Sequence, residues 1–526
     1  MPALKNLALR LSALACSIVF TIASDVAFAQ AESDLPDIGN SANAIITRDD
    51  EVGYGMMALR ELRGEGLIME DPEVTEYINA IGSRLATQTP DGSPQFHYFV
   101  VRDADVNAFA IPGGFVFINY GTILASENES QLAGVMAHET AHVVQRHIAR
   151  AIQAQSKQSI LTVAAILASI LIGAAGGGAP AIEGGIAAAQ GLAVQQQINF
   201  TRHDEWEADR VGMGILSRAG FDPVGIPDFF ETFQRRYGFE EGLIPKFLLD
   251  HPVSTERIAD GRARAAQLER PKHLVDSTSY LLIKERLRVL TAAEDADPVG
   301  YYARKIDHGE DTLENQYGYA LALTERGRPQ QAVSILRPLV AEHPGVILLY
   351  SLLAQAQVAA DNTEAGLATF EHASALFPRN VPLDVRYGEA LIKAGHPKQA
   401  HVMLLDLFNN VDPTPRQIEL TARAASAAGD VGDAYYYMSV FHVENGNLPL
   451  AGQQLELALK SPHLTNVQRE RYRARLDEIR DFLARNRRAA RQAQSQNQSN
   501  LLWPDNARSS SDSEGSPSGL SFPRLP

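Results

Sequence analysis

The chain has 526 residues, 45% hydrophobic and 21% charged, which excludes a fully disordered chain, a collagen and a polytopic membrane protein and leaves room for about three domains. Its 47 Lys+Arg against 63 Asp+Glu give a net charge of −16, a poor match to a phosphate backbone, so nucleic acid is excluded as a partner. The single cysteine is Cys16.

The first thirty residues decide what that cysteine means. Lys5 and Arg10 precede an apolar run from Leu11 to Ala23, and Ala27-Phe28-Ala29 offers a small-x-small site before Gln30. That is the layout of a cleaved secretory signal over residues 1–29. The run of 13 residues is short against the roughly 20 of a spanning helix. Acylation at Ala13-Leu14-Ala15-Cys16 is disfavoured, because Arg10 lies close before it and the apolar run continues past it. The mature chain of 497 residues then has no cysteine and carries 45 basic against 62 acidic residues, or −17. It owes nothing to disulfides or thiolate metal sites.

Residues 30–50 read as an extended lead-in, and 51–90 as two helices with apolar residues at helical spacing. His97-Tyr98-Phe99-Val100-Val101 reads as a strand. So do Ala108-Phe109-Ala110 and Phe115-Val116-Phe117-Ile118, joined through Pro112-Gly113-Gly114. Ser126-Glu127-Asn128-Glu129 fits a capping box with Ser126 as N-cap, opening a helix that runs to about Gln153. Residues 158–182 carry no charge, and their densest part, 160–175, is broken by Gly176-Gly177-Gly178 and Pro180. We read a buried or membrane-touching helix there rather than a spanning one, so 158–200 is a candidate for peripheral contact with a membrane. A further helix spans about His203 to Arg218, with Gly220 at its end.

From about residue 312 the pattern repeats. Ala320, Ala354, Gly388 and Ala422 are each 34 apart, and so are Ala332, Gly366, Ala400 and Ala434. Small residues at two fixed places, with Pro344 and Pro378 on the same step, match the tetratricopeptide repeat. The grid slips after Ala434, where Gly446, Ala451, Ala458 and Pro462 suggest a half-repeat or cap. The repeats occupy 296–486, ending in a charged helix, and 487–526 reads as a disordered tail.

His138-Glu139-Thr140-Ala141-His142 is HExxH. Two histidines four apart on a helix reach one ion, and Glu139 between them can take a proton from a metal-bound water and pass it to a leaving amine. A zinc site needs a third protein ligand. His147 follows His142 by five residues without a glycine turn, and in a continuous helix it points about 140° away. It is expected to be a structural or surface histidine. Glu205, in Glu205-Trp206-Glu207-Ala208-Asp209, is the better candidate, because Glu205 and Asp209 share a helix face. One binds the metal and the other orients a ligand histidine, while Glu207 points elsewhere into solvent.

With these residues the chain resembles the HExxH…ExxAD zinc metallopeptidases, the family that includes the CAAX prenyl proteases, HtpX and Oma1. The repeats make it similar to the periplasmic, tetratricopeptide-bearing branch. The resemblance implies a mainly α chain: a gluzincin-type α+β zinc peptidase domain with a small sheet at 30–295, followed by an α-solenoid of tetratricopeptide repeats. It implies one Zn2+ at His138, His142 and Glu205, Glu139 as general base and acid, and Asp209 behind the ligands. Asn107, Ala108, Phe109 and Ala110 match the family's edge strand, where an extended substrate pairs with free backbone groups. His251-Pro252 with Arg257-Ile258 matches a further element. There His251 donates to an oxyanion, or plugs the open metal position, or caps a loop.

Unlike the membrane branches, this chain has one marginal apolar stretch, so a prenylated substrate is doubtful. The implied function is a periplasmic zinc endopeptidase acting on misfolded or stalled outer-membrane polypeptides, with the repeats docking clients or the outer-membrane assembly machinery. The competing reading is a chaperone or adaptor of that assembly with a largely latent peptidase site.

Overall fold

The computed structural model describes residues 46–154, 202–237, 251–272, 275–409 and 411–502. The expected secretory signal, the uncharged stretch at 158–182 and the end of the expected tail lie outside them. No helix among the described residues is long and apolar enough to cross a membrane.

Two helices open the catalytic region, α1 (Arg48–Gly64) and α2 (Pro72–Ala86). Asp71 caps α2 by accepting from Val74 N, and Pro72 takes the first position, where no donor is needed. Val74, Ile78, Ile81 and Leu85 recur at helical spacing and are all buried. Three strands follow: β1 (His97–Val101), β2 (Ala108–Ile111) and β3 (Phe115–Asn119). They form one sheet in the order β1-β3-β2, with β1 parallel and β2 antiparallel to β3. The β2–β3 turn needs Gly113 and Gly114, at φ +91° and +96°, because a Cβ on either would strike the backbone of Glu51 or Gln95.

A short helix, α3 (Tyr120–Ala125), precedes α4 (Glu129–Val144), which carries HExxH. Ser126 does not cap α4 as the capping box predicts. Its hydroxyl donates to Ile123 O and meets the Tyr280 hydroxyl, and Asn128 Oδ1 accepts from Gln131 N instead. The helix also stops short of Gln153. Arg146 turns left-handed at φ +53°, and a new helix, α5 (His147–Ala154), starts after it. Glu51 holds the Arg146 guanidinium at 2.9–3.0 Å, both side chains being buried.

Helix α6 (Arg202–Arg218) lies against α4. Gly212 allows this, since a Cβ there would come within 3.2 Å of the Ala137 carbonyl and His138 Cα. Then come α7 (Gly225–Tyr237), α8 (Thr255–Ala265, capped by Ser254), α9 (Thr278–Leu290) and α10 (Pro298–Asp307).

The repeats are antiparallel helix pairs: α11 (Leu313–Glu325) with α12 (Pro329–Glu342), α13 (Ile347–Ala359) with α14 (Thr363–Leu376), α15 (Val381–Lys393) with α16 (Pro397–Phe408), and α17 (Pro415–Ala428) with α18 (Val431–Glu444). Each pair opens 34 residues after the last, and Ala320, Ala332, Ala354, Ala400 and Ala422 are buried where small residues are expected. Helix α19 (Leu448–Lys460) supplies the half-repeat, and α20 (Asn466–Leu502) ends the described chain. It continues past residue 486 into the segment expected to be disordered, where Ala, Arg and Gln favour helix.

One apolar core runs from Met69 and Ile78 through Leu132 and Phe233 into Tyr317, Leu336 and Leu353, so the first pair and α13 share the catalytic region's core. An ionic lattice reinforces the junction. Arg286 on α9 makes a two-pronged bond to Asp71 at 2.7 Å and reaches Glu73 at 3.0 Å. Arg386 on α15 reaches both acids at 2.9 Å, and Ser351 on α13 donates to Glu73. Further along, Arg60 on α1 donates to the Glu444 carbonyl at the end of α18. Part of the repeat surface is thus occupied by the chain's own catalytic region.

Candidate metal centre

Helices α4 and α6 and the residue after 250 converge on one point. His138, His142, Glu205 and His251 each bring one donor atom within 4.8 Å of the others, and all four are buried. His138 Nε2 lies 3.1 Å from His142 Nε2, and each lies 3.6 Å from an oxygen of Glu205. Donors about 2.0–2.2 Å from one tetrahedral zinc are about 3.4 Å apart, so the triangle fits that ion. The charge fits too. With the imidazoles in the neutral form that binds a metal, Glu139, Glu205 and Asp209, buried with a single guanidinium, Arg257, leave two negative charges for a divalent cation.

The electrostatics of the cluster follow from that imbalance. Burial pulls the His138 imidazole down, but Asp209 and Glu205 outweigh it and hold it up at about 10. Burial and the neighbouring rings push His142 well below its usual value. Burial raises the Glu205 and Asp209 carboxyls, yet the histidines and, for Asp209, Arg257 hold both below the usual carboxylate range.

Asp209 sits where the sequence places it, with Oδ1 3.0 Å from His138 Nδ1. Arg257 locks it there through two bonds of 2.8 Å, touches Glu205 at 2.8 Å and stacks over Phe230. The sequence offers Arg257 only as part of a family element. Its role depends on a contact 48 residues away, which no local pattern signals.

His251 belongs to the cluster. Its Nδ1 lies 3.0 Å from Glu205 Oε1 and 3.4 Å from His138 Nε2, which makes it a fourth donor of the group, and its Nε2 lies 3.4 Å from Glu139 Oε1. Of the two alternatives for His147 the structural one fits: it is 1% exposed, with Nδ1 2.9 Å from His142 Nδ1, although the helix is not continuous up to it. Glu207 needs correction: it does not point away into solvent but is half-buried and bonds His147 and Arg150. Both placements come from the break at Arg146, which swings α5 back across α6.

Beside the cluster, β2 is an edge strand. Asn119 N donates to Asn107 O, so Phe109 and Ile111 share that hydrogen-bonding parity with β3. The backbone groups of Ala108 and Ala110 therefore point away from the sheet. Asn107 Oδ1 takes the Ala108 N–H, which among the described residues leaves the Ala108 carbonyl and both Ala110 groups along the edge. A narrow recess adjoins them, lined by Ala110, Ile111, Val143, Ile148 and Ala149 together with His142 and the Glu51–Arg146 pair.

Imidazole and carboxylate donors on two packed helices, beside a free sheet edge, place the molecule in the class of zinc metallopeptidases. Comparison with known proteins agrees. The model of peptidase family M48 matches residues 72–265, which contain the whole cluster. The chain is 33% identical over 468 residues to the beta-barrel assembly-enhancing protease of Escherichia coli (strain K12), covering 87% of this chain and 94% of that protein. It is 29% identical over 194 residues to metalloprotease LoiP of Escherichia coli (strain K12), covering 36% and 69%. It is 29% identical over 195 residues to the mitochondrial metalloendopeptidase OMA1 of Schizosaccharomyces pombe, covering 37% and 54%. The chain belongs to peptidase family M48 and is a zinc metalloprotease.

Proposed function

We propose that the chain is an envelope endopeptidase that clears extended segments of polypeptides stalled in outer-membrane assembly. The convergence of His138, His142 and Glu205 beside the free edge of β2 carries the reading. Similarity over nearly the full length of a beta-barrel assembly-enhancing protease supports the client class, and the signal-like N-terminus supports the periplasm.

His138, His142 and Glu205 would hold zinc, which supplies Lewis acidity toward the scissile carbonyl. An extended substrate pairs with the Ala108 carbonyl and the Ala110 backbone, which sets its peptide bond beside the cluster. Glu139, buried against the cluster, takes the proton of the attacking water and delivers it to the leaving amine. Asp209 keeps the His138 ring oriented. His251 guards the site: as a fourth donor it fills the space that water and substrate need. That position also favours a second reading, in which the protein spends much of its time as a latent peptidase and acts as an adaptor through its repeats.

The test uses the purified mature chain loaded with zinc. It should contain one zinc and cleave casein, whereas Glu139→Gln should keep the zinc and lose cleavage. Zinc content unchanged in Glu205→Ala would remove Glu205 from the ligand set, and cleavage by Glu139→Gln would remove the mechanism.

A further inference from the structure

We propose that His147 is a positioning residue for the zinc ligand His142. It accepts the proton on His142 Nδ1 and relays the hydrogen bond to Glu207. The proposal rests on the assignment of His142 as a ligand.

An imidazole that offers Nε2 to a metal carries its proton on Nδ1, and that proton needs an acceptor when the ring is buried. His138 has one, since Asp209 Oδ1 lies 3.0 Å from its Nδ1. The corresponding atom of His142 meets a second imidazole. It lies 2.9 Å from His147 Nδ1, and of two facing ring nitrogens one must donate and the other accept. The far side of His147 decides the direction. Its Nε2 is 3.2 Å from Glu207 Oε2, an ionised carboxylate that only accepts. The His147 proton therefore sits on Nε2, its Nδ1 lone pair faces His142, and His142 Nε2 is left free for the metal. Burial of His147 keeps water from taking over the role.

The rest of the corner holds this order in place. Arg150 bonds Glu207 at 2.7 Å and Asp204 at 3.0 Å, so α5 is clamped to α6 and Glu207 stays charged. His147, Asp204 and Glu207 also have the composition of a second metal site. Arg150 already occupies both carboxylates and His142 occupies His147 Nδ1, so the corner is assembled as a support rather than a cage. The left-handed turn at Arg146, tied down by Glu51, makes the geometry available.

The test measures zinc affinity of the full mature chain by competition with a chromophoric chelator. His147→Leu should weaken binding by about 10–100-fold, the usual cost of losing such a partner. His147→Asn, whose amide oxygen can stand where Nδ1 stood, should recover most of the loss. The metal-free forms of both variants should melt close to the metal-free wild type. Wild-type affinity in His147→Leu would overturn the proposal, and so would an Asn variant as weak as the Leu variant. His142→Ala in the same titration separates the two assignments. If it too binds like wild type, the ligand assignment fails. If it loses zinc while His147→Leu does not, the relay alone fails.

Discussion

The metal cluster and the lattice at the repeat junction are both buried and both ionic, but they are balanced differently. At the junction, Asp71 and Glu73 meet Arg286 and Arg386, two charges against two. In the cluster, three carboxylates meet one guanidinium among rings that gather their nitrogens at one point. Buried charge alone therefore does not mark chemistry, because a structural lattice closes its own account. An excess of carboxylates, with imidazole nitrogens aimed at a shared centre, does mark it. The two are also linked. Asp71 and Glu73 open α2, which packs on β1 and on the HExxH helix, so the lattice ties the repeats to the scaffold that carries the metal.

The sharpest break between the two comes from removing one charged group from each. In the cluster, Glu139→Gln should lower kcat/KM by about 10²–10⁴-fold with zinc retained and little change in melting temperature. In the lattice, Arg386→Met leaves two buried carboxylates with one guanidinium and should cost about 3–5 kcal/mol in urea unfolding, with zinc content unchanged. A loss below about 1 kcal/mol would show that the lattice is as dispensable as a surface pair.

Next in size is His251→Ala. A guard predicts a several-fold rise in casein cleavage. If His251 instead donates to the oxyanion, the same variant should fall by about 10²–10³-fold, so a single assay decides between the roles.

How legible each region is follows from the range of its contacts. HExxH and the Glu205/Asp209 face are spaced by helix geometry, so residue periodicity alone brings them out, and the 34-residue grid exposes the repeats for the same reason. The position of His147 cannot be read that way. One residue at φ +53° redirects the chain, and Arg146 has no composition cue for a left-handed turn. The cap of α4 moved by two residues because the Ser126 hydroxyl was already engaged by Ile123 and by Tyr280, 154 residues on. The lattice joins Asp71 to Arg386 across 315 residues, beyond any window of local reading.

The smallest expected effect is the most specific to the balance of the lattice. Burial raises the Asp71 carboxyl, but Arg286, Arg386 and the Val74 N–H outweigh it and hold it well below the usual carboxylate range. A depressed folded pKa stabilises the native state above the unfolded value of about 3.9, and that contribution is lost only as pH falls through the folded value. Asp71→Asn keeps the helix cap but removes the charge. The stability gap between wild type and this variant should therefore stay constant from pH 7 to about 5 and shrink only below about pH 4. A gap that does not shrink as pH falls below about 4 would mean that Asp71 titrates alike in the folded and unfolded chain, as an exposed acid does. The two guanidinium groups would then not be holding it, and the contrast between a self-balanced lattice and a cation-seeking cluster would lose its basis.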